Sequence, residues 1–370
     1  MFILQAKLKH LKTKLKDWAQ HTYGNGNSLS SSSREKLLQV QLEIQRCPDQ
    51  PQLIITETSL LKDLSKALIE ENKMAKQKTK CEWQLNGGKN SSTFHKRLKI
   101  HQSSTNIFSI LDMHGQACDT SVSIQDAFME YFQHNLGKSQ IPSISLRQFF
   151  QYHLPKIPDD MYAGLIKEIS DNEIKHAIFG LNSNSSPGPD GFNAHFFKVS
   201  WDIIGGDLIK AIKNFFRHSK LISGINATKL ALIPKTNHPI SVDQFRPIAC
   251  CNVIYKCIAR ILAARMKTPL DGLISSNQSA FLPGRDITDN ILLASELMKG
   301  YNRKVISPRC VLKLDIQKAY DSVQWKSIIY ILHQMNFPIP FLCWIYTCIS
   351  TVNYSLSLNG NIFGLSLIHI

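Results

Sequence analysis

The spacing of apolar residues predicts helices at the N-terminal end of the chain. Leu4, Leu8, Leu11 and Leu15 recur at the interval that places them on one side of a helix. Residues 24–33 are rich in Gly, Asn and Ser, which predicts a flexible break. A second apolar stripe predicts a long helix over residues 59–77. We therefore expect a helical region over residues 1–80.

Other segments have the shorter apolar runs that are typical of β-strands. The first of them contains a turn at residues 113–115 and reads as two short strands. The last ends at Asn359-Gly360, a pair that favours a tight turn between strands. The predicted strand segments are residues 106–120, 229–233, 311–316 and 353–358.

Helical patterns return between these strand segments. Ser170 and Glu173 have the spacing of a capping box, which predicts a helix start. Residues 192–216 predict helices that are broken at Gly205-Gly206. Residues 252–266 predict a strongly amphipathic helix with these residues inward: Ile254, Ile258, Ile261 and Leu262. The mixture of elements predicts an α+β, mostly helical fold.

Composition narrows the class of protein. The 370 residues include 43 Lys and Arg against 28 Asp and Glu, and 43% are hydrophobic, which excludes a wholly disordered basic tail. The nine cysteines form no C-x-x-C pair, so neither a disulfide scaffold nor a zinc ribbon is expected. We find no secretory signal and no membrane-spanning stretch. We therefore expect an intracellular protein, in cytoplasm or nucleus, that has no membrane partner; its oligomeric state stays open.

The positive charge is concentrated near the N-terminus. Residues 1–100 contain 18 Lys and Arg against 9 Asp and Glu, a net charge of +9. Lysines at positions 7, 9, 12, 14 and 16 alternate with the leucine stripe. Two interpretations stay open: a helix that lies on nucleic-acid phosphates, or a surface helix whose lysines face solvent.

One carboxylate has a position suited to metal chemistry. Asp315 follows the predicted apolar strand, which would hold its side chain rigidly at a cleft. Mg²⁺ takes oxygen ligands, usually one or two carboxylates together with substrate phosphates. Two such ions are the common device for displacement at phosphorus. An aspartate at a strand end can equally be the cap of the next helix.

Five sequence blocks, read in order, carry a family resemblance. Together they are similar to the reverse transcriptase of non-LTR (LINE-type) retrotransposons, and most similar to the plant versions, over about residues 80–360. The resemblance implies the fingers and palm of a right-hand polymerase fold. The blocks are PGPDG at 187–191, LIPK at 232–235, FRPI at 245–248, QSAFLPGR at 278–285 and the strand that ends at Asp315.

The resemblance implies a role for each matching residue. Asp315 and the backbone carbonyl of Ile316 would bind the two Mg²⁺ ions. Tyr320 would pack under the sugar of the incoming nucleotide, while Lys235 and Arg246 would contact the triphosphate of a deoxynucleoside triphosphate.

The block at 278–285 is implied to line the template side of the site. Its matching residues are Gln278, Phe281 and Arg285. An RNA template and a DNA primer are the implied nucleic-acid partners.

The resemblance also implies features that the chain lacks. The Phe-Ala-Asp-Asp hairpin of the family is absent, and the Asp-Asp pair that is present, Asp159-Asp160, lies far before Asp315. We therefore expect a truncated polymerase, inactive alone, in which strands 311–316 and 353–358 leave an unpaired edge.

Two alternatives to the truncated polymerase stay open. One is a non-catalytic nucleic-acid-binding remnant that uses the basic helix and the fingers. The other is a pseudogene product without a function. The predicted domains are a basic helical region at 1–80, a hairpin-plus-helix block at 81–140, a linker and helical segment at 141–227, and fingers with a partial palm at 228–370.

Overall fold

The structure is a computed structural model in which a defined part of the chain is described. The described residues are 1–23, 28–47, 50–79, 106–137, 154–280, 282, 284–299, 301, 310–315 and 323–364. The chain divides into two compact units, Ala6–Ile107 and a larger one of Met1–Gln5 with Phe108–Ile370. None of the helices in the described ranges combines the length and hydropathy needed to cross a membrane.

The smaller unit is helical, as predicted for the N-terminal region. The described helices are α1 (Phe2–Tyr23, from Ala6 onward in this unit), α2 (Ser28–Arg46) and α3 (Pro51–Thr79). Helices α2 and α3 pack on each other, and the Gln41 side-chain amide donates to a Glu57 carboxylate oxygen at 2.8 Å. Helix α2 begins inside the predicted break, and α3 begins with Pro51, whose missing N–H costs nothing in a first turn.

The larger unit begins with a short hairpin and five helices. They are β1 (Ile110–Leu111), β2 (Ala117–Cys118), α4 (Ser121–Gly137), α5 (Asp159–Ile166), α6 (Asp171–Phe179), α7 (Ala194–Val199) and α8 (Trp201–His218). Gly115 has a φ of +82°, which allows the predicted turn between β1 and β2. Ser170 caps α6 by accepting from the Glu173 N–H, as its sequence predicts.

A four-stranded sheet and further helices complete this unit. The elements are β3 (Ala227–Pro234), β4 (Phe245–Cys251), α9 (Val253–Leu273), α10 (Ile287–Met298), α11 (Trp325–Gln334), α12 (Ile339–Ser350), β5 (Asn353–Leu358) and β6 (Asn361–Gly364). The inward stripe predicted for α9 is confirmed, because its four residues are at most 6% exposed. The observed elements confirm an α+β, mostly helical architecture.

The sheet order corrects one prediction about edges. The strands lie in the order β4-β3-β5-β6, with β3 and β5 parallel and the outer pairs antiparallel. The Asn359-Gly360 pair has positive φ at both residues and makes the predicted tight turn. Strand β5 therefore has a partner on each side, and the prediction that it exposes an unpaired edge was wrong. The reason is local: the tight turn brings β6 back onto the open side of β5.

The expected helix break at Gly205-Gly206 is also absent. Both glycines lie inside α8, and the boundary between two helices lies at Ser200 instead. Each glycine costs a helix about 1 kcal/mol relative to alanine. The buried face of α8, which includes Leu208, Ile212 and Phe215, outweighs this cost because burial of each large side chain contributes about 1.5–3 kcal/mol.

The predicted strand over residues 311–316 is wrong for the residues that are described. Residues 310–315 are irregular, and Leu312 and Leu314 are 76% and 79% exposed. A strand needs a hydrogen-bonding neighbour for its N–H and C=O groups. Strand β3 is already paired with β4 and β5, and no other described strand lies beside this segment. Apolar composition alone therefore does not make it a strand.

Candidate nucleic-acid interface

Strands β3 and β4 place Lys235 and Arg246 on one side of the sheet. The antiparallel register pairs Ile233 with Arg246, and the Lys235 N–H continues the ladder by donating to the Gln244 carbonyl at 2.8 Å. Paired residues point to the same side, as do residues two apart on one strand. The two predicted triphosphate contacts therefore lie on a shared face, close to the same end of the strand pair.

The loop between β3 and β4 is closed by its own hydrogen bonds. The Lys235 ammonium donates to the Asp243 carbonyl at 2.6 Å. The Ile240 N–H donates to the side-chain oxygen of Gln244 at 2.9 Å. Arg246 is exposed, and its guanidinium makes no hydrogen bond or ion pair with the described part of the chain. The loop thus has a defined shape and leaves this guanidinium available to an anion.

The hairpin and helix at residues 106–137 support this loop. The Leu111 N–H of β1 donates to the Ile240 carbonyl at 2.8 Å. On α4, the Phe128 ring meets Phe245 of β4 edge-on at 5.3 Å between centroids, and Val242 in the loop is buried. These long-range contacts fix the backbone next to Lys235 and Arg246. Sequence reasoning did not identify Phe128 or Ile240, because neither belongs to a chemical motif.

The loop at residues 187–191 is built around Asn252, which is only 2% exposed. The Asn252 side chain accepts from the Asp190 N–H at 3.2 Å and donates to the carbonyls of Gly224 and Ile225 at 2.9 and 3.1 Å. Asp190 in turn accepts from the Phe192 N–H at 3.0 Å. This loop is therefore a rigid connector that joins the start of α9 to the segment before β3.

Three cations near this loop have structural partners. Lys256 donates to the Ser186 carbonyl at 3.0 Å, and Arg260 donates to the Gly180 carbonyl at 2.7 Å. Lys198 donates to the Leu181 carbonyl at 2.6 Å. Their positive charges satisfy backbone carbonyls of residues 180–186, which accounts for the face of α9 that carries Lys256 and Arg260.

Arg285 holds the end of α9. Its guanidinium donates to four backbone carbonyls at 2.5–3.3 Å, those of Asp271, Ile274, Ser275 and Gln278. The last carbonyls of a helix have no partner within the helix, so a cation here satisfies them. The observed contacts of Arg285 are structural. The Gln278 amide donates to the Ala280 carbonyl at 3.3 Å, and Phe281 lies outside the described residues.

The implied metal site is only partly represented. Asp315 is exposed in an irregular segment, whereas Ile316 and Tyr320 lie outside the described residues. No cluster of three or more His, Cys, Asp or Glu side chains occurs in the described ranges. The described side chains therefore supply one of the implied Mg²⁺ ligands and do not form a complete site, so no catalytic step is assigned to an ion here.

The basic helix α1 presents most of its lysines to solvent. Leu4 and Leu8 are buried, Leu15 is 41% exposed, and Lys9, Lys14 and Lys16 are all exposed. The leucine stripe therefore faces packed residues over its first two turns only. Both interpretations of this helix remain compatible with such an arrangement.

Comparisons with known proteins match the segment that contains Lys235 and Arg246. Residues 233–365 match the reverse transcriptase (RNA-dependent DNA polymerase) family. The chain is 26% identical over 249 residues to the "Transposon TX1 uncharacterized 149 kDa protein" of Xenopus laevis, an alignment that covers 66% of this chain and 19% of that protein.

Two further relatives are polyproteins of R2 elements. The chain is 28% identical over 186 residues to the "Retrovirus-related Pol polyprotein from type-1 retrotransposable element R2" of Nasonia vitripennis, which covers 49% of this chain and 17% of the relative. It is 26% identical over 180 residues to the corresponding R2DM polyprotein of Drosophila melanogaster, with 49% and 16% covered. The chain spans less than a fifth of each relative. Residues 233–365 are therefore similar to the reverse transcriptase family, and the longer alignments are to proteins of transposable elements.

Proposed function

We propose that this chain is a piece of an RNA-directed DNA polymerase from a non-LTR retrotransposon of plant type. In this proposal residues 228–370 are the fingers and part of the palm, and they bind an RNA template, a DNA primer and a deoxynucleoside triphosphate. The observation that carries the proposal is the register of β3 and β4, which puts Lys235 and Arg246 on one face within the matched reverse transcriptase segment.

Lys235 and Arg246 would hold the triphosphate by charge. An Arg guanidinium can fork onto two phosphate oxygens, and fixed cations stabilise the charge that develops on a leaving pyrophosphate. The supported loop at residues 235–244 favours this role, because a fixed backbone reduces the entropy that binding costs. Tyr320 would contact the sugar, and Gln278 and Phe281 would lie on the template side, with Arg285 shaping that segment through the end of α9.

Asp315 and the Ile316 carbonyl would be ligands of Mg²⁺, whose role is to neutralise phosphate charge during nucleotide transfer. In this proposal the remaining carboxylates of a two-ion site do not come from Asp159-Asp160, because this pair lies in the first turn of α5 and far before Asp315 in the sequence. We therefore propose that the chain binds nucleic acid and nucleotide without polymerising by itself.

The nucleotide-binding part of the proposal can be tested directly. Binding of a fluorescent deoxynucleoside triphosphate is measured on the full chain with an RNA–DNA primer–template. Arg246→Gln and Lys235→Gln should each weaken binding about tenfold, since a hydrogen bond to a charged group contributes about 1.5–3 kcal/mol. Lys210→Gln, at an exposed lysine on α8, is the matched control. Equal affinity in all four proteins would contradict the proposal.

The absence of polymerisation needs its own experiment. Primer extension on an RNA template is compared between the chain and its Asp315→Ala variant. We expect no extension above the variant. Extension by the unmodified chain that Asp315→Ala abolishes would show that the chain supplies a complete active site.

A non-catalytic role in nucleic-acid binding is the second candidate, favoured by the exposed lysines of α1. Changing Lys9, Lys14 and Lys16 together to Gln should lower the salt dependence of RNA binding if this helix lies on phosphates. An unchanged slope would leave α1 as a surface helix and remove the support for this candidate.

A further inference from the structure

A third cation, Lys229, lies on the same sheet face as Lys235 and Arg246. On β3, residues 229 and 233 alternate with residues that point to the other side, and Lys235 follows two residues after Ile233. The register pairs Lys229 with Cys250 on one side and with Ser355 of β5 on the other. Lys229 is half-buried, and its ammonium has no hydrogen bond or ion pair with any residue that the structure describes.

The chemistry of this face is uniform in charge. Its described strand positions carry two cations, Lys229 and Arg246, and no carboxylate, and Lys235 follows directly after β3; the other side chains are small, apolar or neutral polar. We call it the cationic face and define it by the register as Ala227, Lys229, Ala231, Ile233, Arg246, Ile248, Cys250, Asn353, Ser355, Ser357, Ile362 and Gly364, extended by Lys235. Without carboxylates, nothing on the face neutralises the cations or repels a polyanion.

The spacing of the cations fits a chain of phosphates. Lys229 lies four residues before Ile233, the partner of Arg246, which is about 13 Å along a strand at about 3.3 Å per residue. The two cations are therefore about 13 Å apart along the strand, a distance that a single phosphate or a triphosphate does not span, so a polyanion that contacts both carries several phosphates.

The surface between the cations is open and partly apolar. Ile233 and Ile248 are 48% and 45% exposed. The side chains of Ala231 and Ser357 are small and project little from this face of the sheet. A strand of nucleic acid can lie across such a surface, with its phosphates on the cations and its sugars on the apolar side chains. Because residues 233–365 are similar to the reverse transcriptase family, a nucleic-acid strand is the polyanion that we assign to this face.

We infer that Lys229 is a nucleic-acid-binding residue, which contacts the phosphodiester backbone about 13 Å along β3 from Ile233, the partner of Arg246. This inference rests on the proposed function and adds to it a path for the bound nucleic-acid strand, which would run along β3. Lys229 acts on strand binding and not on the triphosphate, which separates it from the other two cations.

The test uses salt-dependent binding of the full chain to an oligouridylate and to an RNA–DNA hybrid. Lys229→Gln should reduce the slope of log K against log[salt] by about 0.7–0.9, the value for one lost phosphate contact. Lys229→Arg should restore the slope because it keeps the charge, and Lys210→Gln should leave it unchanged. Circular dichroism of each variant checks that it is folded.

Each outcome of these measurements either supports or contradicts the role of Lys229. A normal slope for Lys229→Gln, or a loss that Lys210→Gln reproduces, overturns the inference, as does failure of Lys229→Arg to restore binding in a folded protein. Binding of the fluorescent nucleotide distinguishes a failure of the inference about Lys229 from a failure of the proposed function. Loss of nucleotide binding in Arg246→Gln together with a normal slope in Lys229→Gln removes the inference alone. Normal nucleotide binding in Arg246→Gln removes the proposed function, whatever Lys229 does.

Discussion

Arg265 and Glu173 form a two-point ion pair that joins α9 to the start of α6. The Arg265 Nε and Nη2 groups donate to the two carboxylate oxygens of Glu173 at 2.8 and 2.9 Å. The remaining Nη1 donates to the carbonyls of Leu165 and Lys167 at 3.0 and 2.6 Å. The Arg265 side chain is only 9% exposed, so one guanidinium fixes two helices and the connection between α5 and α6.

Removing this guanidinium should be strongly destabilising. Arg265→Met leaves a partly buried carboxylate and two carbonyls without their donor, and we expect the free energy of unfolding to fall by about 2–4 kcal/mol. Arg217→Met is the control, because the Arg217–Glu168 pair is exposed on both sides and such pairs contribute about 0–1 kcal/mol. Amide hydrogen exchange in α6 and α9 measures the free energy of unfolding of both variants. Equal effects of the two variants would contradict the assigned importance of burial.

Substitution by alanine should change the stability of the protein in opposite directions at Gly188 and at Gly206. At Gly188 a Cβ would meet the Asn252 backbone nitrogen at 2.5 Å and the Asn252 side-chain oxygen even closer, so Gly188→Ala should cost about 1–3 kcal/mol. At Gly206, inside α8, a Cβ meets nothing within 4 Å, and alanine should stabilise by about 0.5–1 kcal/mol. Urea unfolding measures both variants. A stabilising Gly188→Ala would disprove the close approach of the two loops.

The start of α10 should depend on pH through Asp286. Its carboxylate accepts from the Thr288 backbone N–H at 2.9 Å and from the Thr288 hydroxyl at 2.7 Å. These bonds, the backbone one foremost, hold the pKa of Asp286 below its ordinary value. A lowered pKa in the folded state means stability that is present above the ordinary value, about 3.9, and is lost as the pH falls through the folded pKa.

The measurement is an NMR titration of the α10 amides between neutral and acidic pH. We expect helical shifts at the first turn to weaken in acid. Asp286→Asn keeps a capping oxygen without the titration and should make these shifts independent of pH. The same acid transition in Asp286→Asn would assign the effect to another group.

The cysteines should divide into two classes by reactivity. Burial raises the pKa of Cys257 and of Cys348 to about 12, so their thiols stay protonated. Cys47, Cys310 and Cys343 are exposed. Because the thiolate is the nucleophile, iodoacetamide at mildly alkaline pH should modify the exposed group at least about tenfold faster. Peptide mass spectrometry after timed quenching measures the rate at which each cysteine is modified. Rapid modification of Cys257 in the folded chain would contradict its burial.

The sequence by itself determined elements whose stability is local. The Ile254–Ile258–Ile261 spacing is enough to define a buried helical face, and Ser170 caps its helix through a bond that spans three residues. Asn359 and Gly360 tolerate positive φ, so the turn between β5 and β6 follows from residue type. The ordered blocks that include Lys235 and Arg246 likewise indicated a reverse transcriptase without any geometry.

Only the tertiary structure decided what depends on distant partners. Residues 311–316 have the composition of a strand, but the described part has no neighbouring strand to bond to. Gly205 and Gly206 stay helical because packing of α8 outweighs their propensity. Arg285 donates to the carbonyls of Asp271 and Ile274 at the end of α9. Lys229 lies with Lys235 and Arg246 because the register of β3 and β4 places them on one face. Propensity acts through neighbours in the chain, whereas pairing and burial depend on residues that folding brings together from far apart.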